Sequence, residues 1–206
     1  MPTFRRPLSR QRGAALFLTL CIVVALMLMG ASAVRTALNA ERSARGDRDR
    51  HIALQAAEAA LEDAERDIEG GSNPGSQRAA MFAKGSSTGF VEGCGSGADN
   101  LGLCLRMPEP AAPAWQSAAL AGSGSGSGGG MAVQYGLFTG ASMPHGAGAL
   151  PARLPRYLIE LIPYVRAGHD ASAPPGNFYR ITAIGFGASE TTWVVLQSFY
   201  LKGALA

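Results

Sequence analysis

The sequence predicts an α+β protein in which one long N-terminal helix packs on a small C-terminal antiparallel β-sheet. Three observations carry that prediction. Ala14 to Val34 has no charged residue, and its only polar side chains are Thr19, Cys21 and Ser32. Residues 52–68 repeat apolar side chains at three- and four-residue steps, the signature of an amphipathic helix. Three runs near the C-terminus, 157–165, 177–187 and 191–201, are rich in β-branched and aromatic residues, as strands are.

Taken in order, residues 1–13 are short and basic and contain Pro2 and Pro7, which disfavour a helix. Ala14–Val34 as a helix would span roughly 31 Å, close to the apolar thickness of a bilayer. The alternative, a buried core helix, needs partners on every face, and the remaining chain is too Gly-rich to supply them. The helical pattern continues through residues 35–69, where Ile52, Ala53, Ala56, Ala57, Ala60, Leu61, Ala64 and Ile68 draw one apolar stripe. Glu58, Glu62, Asp63, Glu65 and Arg66 are assigned to the solvated side. Gly30 and Gly46 each cost about 1 kcal/mol relative to Ala inside a helix. Without a break, the helix from Ala14 to Ile68 would be roughly 80 Å long.

Gly70-Gly-Ser-Asn-Pro-Gly-Ser76 ends the pattern. Residues 70–206 form the globular part, loop-rich over 72–130, with a helical turn expected at Met81–Ala83 and an extended piece at Phe90–Val91. The Gly/Ser tract 122–130 reads as a solvated loop. Gly187-Ala-Ser-Glu190 pairs the last two strands as a hairpin, and Pro163 suits an edge position.

Charge sets the expected topology. The formal charge of +3 does not mark a nucleic-acid-binding surface. Arg5, Arg6, Arg10 and Arg12 contribute +4 ahead of the apolar stretch, leaving +3 − 4 = −1 for the remaining side chains. That bias favours a cytoplasmic N-terminus, a single membrane span and a C-terminal domain on the far side. A cleaved secretory signal is the competing pattern, with Ala31-Ser32-Ala33 as its best exit site.

A basic leader ending in Gly13, an apolar helix start at Ala14 and one long helix resemble the prepilin signal of type IV pilins. More narrowly, Arg10-Gln-Arg-Gly-Ala-Ala-Leu16, Arg48-Asp-Arg50 and Gln55-Ala-Ala-Glu-Ala-Ala-Leu-Glu-Asp-Ala-Glu65 resemble the PilX family of minor pilins. Phe178-Tyr-Arg-Ile-Thr-Ala-Ile-Gly-Phe-Gly187 and Val194-Val-Leu-Gln-Ser-Phe-Tyr200 are similar to that family's C-terminal region. The resemblance implies cleavage between Gly13 and Ala14 by a prepilin peptidase and methylation of the Ala14 amine. It also implies partners among other minor pilins and the major pilin, met through the N-terminal helix, and a role in an assembly complex that supports piliation and twitching motility. Most pilins carry Glu at the fifth mature residue; here that position is Leu18, so the usual ion pair with a neighbour's N-terminus is missing. A type II secretion pseudopilin and an uncleaved bitopic protein with a periplasmic binding domain are the alternatives.

Cys94 and Cys104 sit in a Gly-rich segment on the oxidising side of that topology and read as a disulfide. Closing this loop would stabilise by about 2.7 kcal/mol in the chain-entropy model. Free thiols or a metal site are the other options, though nine intervening residues and no nearby His fit zinc poorly. Cys21 simply packs in the span. His51, His145 and His169 are scattered, and no nucleophile elbow, metal set or phosphate loop is present, so no enzyme activity, cofactor, small-molecule substrate or nucleic acid is expected. Trp115 and Trp193 read as core or core-edge residues. Arg35, Arg42, Arg45, Arg48 and Arg50 read as a solvated face pairing with Glu41, Asp47 and Asp49, with lipid head groups or neighbouring pilin helices as the alternative contacts.

Overall fold

The computed structural model describes residues 14–106, 112–117, 120, 131–164 and 176–202. The leader with Gly13, the tract 122–130, Val165 and His169 lie outside the described residues. The chain divides into two compact units, Met1–Asp47 and Arg48–Ala206.

One helix, α1 (Ala14–Ile68, 55 residues), passes through Gly30 and Gly46 without a break. It stops in a Schellman cap: the Gly71 N–H bonds back to the Arg66 carbonyl and the Gly70 N–H to that of Asp67. Gly70 takes a φ of 121°, a left-handed value that other residues rarely adopt. Two short helices, α2 (Gln77–Met81) and α3 (Ala114–Ser117), and two short strands, β1 (Leu103–Leu105) and β2 (Val133–Gln134), come next. The expected turn at Met81–Ala83 thus starts earlier, because the Ser76 hydroxyl caps α2 by accepting the Ala79 N–H. Val91 makes only an isolated bridge to Cys104.

The long strands are β3 (Arg156–Tyr164), β4 (Gly176–Phe186) and β5 (Trp193–Tyr200). They form an antiparallel run, with Ile159 opposite Ile181 and Ile181 opposite Ser198. The whole sheet is mixed, in the order β1-β3-β4-β5, because β1 pairs with β3 in parallel; β2 adds an antiparallel pairing to the start of β3. A parallel pairing needs a long return, and the chain between β1 and β3 is long enough. Pro163 lies inside the sheet rather than on an edge strand. Ile159 donates to the Gly102 carbonyl, so alternate N–H positions of β3, including 163, face the β1 side. The β1 pairing ends opposite Leu161, so the missing N–H of Pro163 faces no strand among those described.

Period-two alternation gives the sheet two apolar faces. Tyr157, Ile159, Leu161, Tyr179, Ile181 and Ala183 pack with Ala60, Ala64 and Ile68 of α1. Leu158, Ile184 and Phe186 pack on the other face with Cys94, Cys104, Ala114 and Leu120. Phe82, Phe90 and Tyr179 meet in edge and stacked contacts that fill the end of the first core.

At Gly185 the sheet lies directly against the helix backbone. A Cβ there would lie 2.1 Å from the Ala53 carbonyl oxygen and 2.3 Å from the Ala57 nitrogen. Both are backbone atoms that cannot rotate away, so the Ala stripe and this glycine fit only as a pair. Gly185→Ala is therefore expected to destabilise the C-terminal unit by about 3 kcal/mol or more, the upper end of overpacking costs. Chemical denaturation of the full chain in detergent, followed by tryptophan fluorescence, measures it.

Candidate functional site

The structure offers two features that bear on function, an apolar helical segment with no cover and a polar lock around the C-terminal end of the same helix. No described residue from Ala14 to Asp47 is buried. Leu16, Phe17, Leu18, Met27 and Met29 each expose more than 60% of their surface. Water is a poor solvent for such a surface, at about 25 cal/mol per Å² of apolar area. The backbone groups are satisfied along the helix, and the Thr19 and Thr36 hydroxyls donate to the Leu16 and Ser32 carbonyls at 2.9 and 3.0 Å. Past its first turn the helix therefore satisfies its own backbone, the condition for crossing lipid. Ala14 opens the helix, Leu18 is exposed one turn later, and Cys21 is a free thiol. The span meets the length and composition of a membrane-crossing helix.

Beyond the apolar segment, Arg45 pairs with Glu41 at 2.5 Å, an exposed i,i+4 contact worth a few tenths of a kcal/mol. Asp49 does not join the arginines. It accepts the Ser189 N–H in the β4–β5 turn, and its carboxyl is held below its ordinary range by the Thr192 hydroxyl first, then by the Ser189 and Ala188 N–H groups. At the other end of β5 the Tyr200 hydroxyl donates to Glu69 at 2.8 Å, and Lys202 donates to the Ile68 carbonyl at 2.6 Å. Burial, and then the Glu69 contact, pushes the Tyr200 hydroxyl up to about 12. The hairpin thereby grips α1 at both ends of their contact.

Asp63 is a correction to the sequence reading, which put it on the solvated side. It is fully buried, as is Asp67 four residues later. Asp63 accepts the Gly136 N–H at 2.8 Å and the Thr139 hydroxyl. Burial raises its carboxyl above the usual range, against the Thr139 and Gly136 hydrogen bonds. Asp67 accepts from Arg78 Nε at 2.8 Å and Nη2 at 2.6 Å, and from the Tyr157 hydroxyl at 3.0 Å. Arg78 Nη1 donates to the Asp99 and Leu101 carbonyls at 2.9 Å, while its guanidinium lies 3.6 Å from the centre of the Phe138 ring. Burial first, then the charge of Asp67, pushes the Tyr157 hydroxyl well up. Each charge has a fixed partner, so the lock ties the helix end to α2 and to the 99–101 and 136–139 loops.

Cys94 and Cys104 are joined by a disulfide that fastens this loop to β1 over the outer face of the sheet. His51 and His145 are exposed and distant in sequence. Trp115 is half-buried in the outer core, whereas Trp193 is 54% exposed on β5, a second departure from the sequence reading. Its position on an outer strand, opposite Phe186, leaves its outer side uncovered among the described residues. Those residues hold no group of His, Cys, Asp or Glu arranged for a metal. A cleft of about 150 Å³ beside Asp67, Ser72, Arg78 and Phe138 is smaller than a typical ligand pocket, and its buried charges are already paired.

An apolar helix left uncovered by the described residues, continuing as the scaffold of an α+β unit, defines a pilin-like subunit. Residues 12–62 match the family model described as PilX N-terminal, and residues 73–202 match that described as Type IV pilus assembly protein PilX C-term. The chain belongs to the PilX family, minor pilins of type IV pilus assembly, whose role is structural. No curated protein and no solved structure gives a significant match.

Removing one partner of a buried pair strands the other charge. Arg78→Ala is expected to destabilise the C-terminal unit by about 3–5 kcal/mol. The double variant with Asp67→Ala should cost less than the sum of the two single variants by about 1–3 kcal/mol. Denaturant unfolding of the four proteins reads both numbers.

Proposed function

We propose that this chain is a minor pilin of an inner-membrane priming complex that starts the pilus fibre and remains at its tip, supporting piliation and twitching motility. The observation that carries the reading is the uncovered apolar segment, which begins at Ala14 directly behind the basic leader. A prepilin peptidase cuts between Gly13 and Ala14 on the cytoplasmic side, and the new Ala14 amine is methylated. Residues 14–34 hold the subunit in the inner membrane, residues 35–69 continue the helix in the periplasm, and residues 70–206 form the globular domain. On extraction the same side chains leave lipid and pack among the helices of other minor pilins and the major pilin. Lipid tails and Leu-rich helices are similarly apolar, so packing contacts decide the transfer.

Leu18 supports a place at the tip. A subunit polymerised along the fibre uses a Glu at this position to meet a neighbour's amine. An unpaired carboxylate in the apolar layer costs about 3 kcal/mol, so a subunit that makes no such pair is better served by Leu. The family match favours the pilus over a type II secretion pseudopilin.

Intact mass and N-terminal sequencing of the protein purified from membranes test the processing step. The expected product starts at Ala14 with a methylated amine, while an intact leader would contradict the proposal. Deleting the gene is expected to abolish surface piliation and spare protein secretion; the opposite pattern would favour the pseudopilin.

A further inference from the structure

Two arginines close behind the apolar run have no ionic partner among the described residues. Arg35 follows Val34 directly, and Arg42 lies seven residues on, nearly two full turns, so both share one face of α1 with Asn39 between them. An ion pair along a helix forms with a residue three or four positions away. Around Arg35 those positions hold Ala31, Ser32, Leu38 and Asn39; around Arg42 they hold Leu38, Asn39, Arg45 and Gly46. None is acidic. Glu41, the acid beside Arg42, is taken by Arg45. The Thr36 hydroxyl is turned back to the Ser32 carbonyl. Arg35, Asn39 and Arg42 are all exposed.

We infer that Arg35, Asn39 and Arg42 form a binding face for the headgroup of an anionic phospholipid, in the leaflet on the far side of the span. The inference rests on the membrane reading of residues 14–34 proposed above. Depth carries it. Headgroups add about 5–7 Å to the apolar layer on each side. Arg35 starts at that boundary, and Arg42 starts roughly 12 Å past Val34. Side chains on a helix tilt toward its N-terminus, which here is the membrane side, so both guanidinium groups lean back into the headgroup layer. There a phosphate offers its free oxygens to the planar fork of each arginine. The Asn39 amide supplies a neutral donor for an ester carbonyl or a glycerol hydroxyl.

The charge of the lipid follows from the same unpaired groups. A zwitterionic headgroup brings its own ammonium, which competes for the phosphate, whereas an anionic one such as phosphatidylglycerol does not. A carboxylate from a neighbouring subunit would also match the charge. At the level of Arg35, however, that carboxylate would itself sit at the edge of the apolar layer, where an acid is costly. Phosphates lie at this depth already.

The test uses the full chain in nanodiscs made from equal amounts of dioleoylphosphatidylglycerol and dioleoylphosphatidylcholine, with native mass spectrometry to count the lipids each chain retains. The wild-type chain is expected to retain phosphatidylglycerol in preference. Arg35→Gln or Arg42→Gln should lower that preference about fivefold each, and the double variant about thirtyfold, while the Cys94–Cys104 bond is kept. Arg45→Gln, one turn farther out and already paired, should lower it less than about twofold. A double variant with the wild-type preference, or an equal loss from Arg45→Gln, would overturn the inference. If that double variant kept its lipid preference and lost surface piliation in cells, the two arginines would belong to a neighbouring subunit instead. Flotation with vesicles of dioleoylphosphatidylcholine alone reads the anchor separately. A chain that floats but shows no arginine-dependent preference refutes the headgroup site and leaves the membrane reading standing; one that does not float removes both.

Discussion

An apolar helical surface that the described residues leave uncovered needs an apolar surrounding, and the rest of this molecule follows from that constraint. The exposed side chains of residues 16–34 would drive aggregation in water. A helix is the one element that can carry them into lipid and out again, because its backbone needs no partner in either place. Neighbouring helices replace lipid contact by contact, so the same surface suits a membrane and a fibre core.

The second half of α1 meets a different solvent and is held by different forces. Its small residues, Ala53, Ala56, Ala57 and Ala60, allow the backbone to approach Gly185 more closely than side chains would permit. That approach fixes how deep the helix sits but holds its register weakly, since a row of alanines presents few distinct knobs. Register comes from the polar contacts. Asp63, Asp67 and Arg78 are satisfied only when the helix end, α2 and two loops are all in place. The hairpin contacts at Asp49 and Glu69 set the same register from the other strand ends. Buried charges are a costly way to gain stability, and their value here lies in allowing one arrangement.

Most of the architecture was legible in the sequence. The uncharged run is marked by its length and the Ala-rich stripe by its three- and four-residue period, and both continue for enough residues to outweigh single glycines; the three strand runs are marked by their β-branched and aromatic residues. Cys94 and Cys104 stood out because little else in their segment is reactive. Asp63 and Asp67 were harder to place because residue type argued for water and position argued for the core. Each lies three residues after a stripe alanine, Ala60 and Ala64, and that spacing was the signal that could have found them. The β1 strand was hidden for another reason: 3 residues leave too short a period to recognise, and its partner lies far along the chain. Trp193 was misplaced because strand side chains of an outer strand look the same in sequence whether covered or bare.

Amide hydrogen exchange on the full chain in phospholipid nanodiscs tests the central claim most directly. Residues 14–34 should exchange slowly because lipid covers them, and residues 53–68 slowly because the sheet does, with fast exchange over 36–48 between them. If residues 14–34 exchanged as fast as 36–48, the apolar helix would not be held by the membrane, and the account built on it would fail.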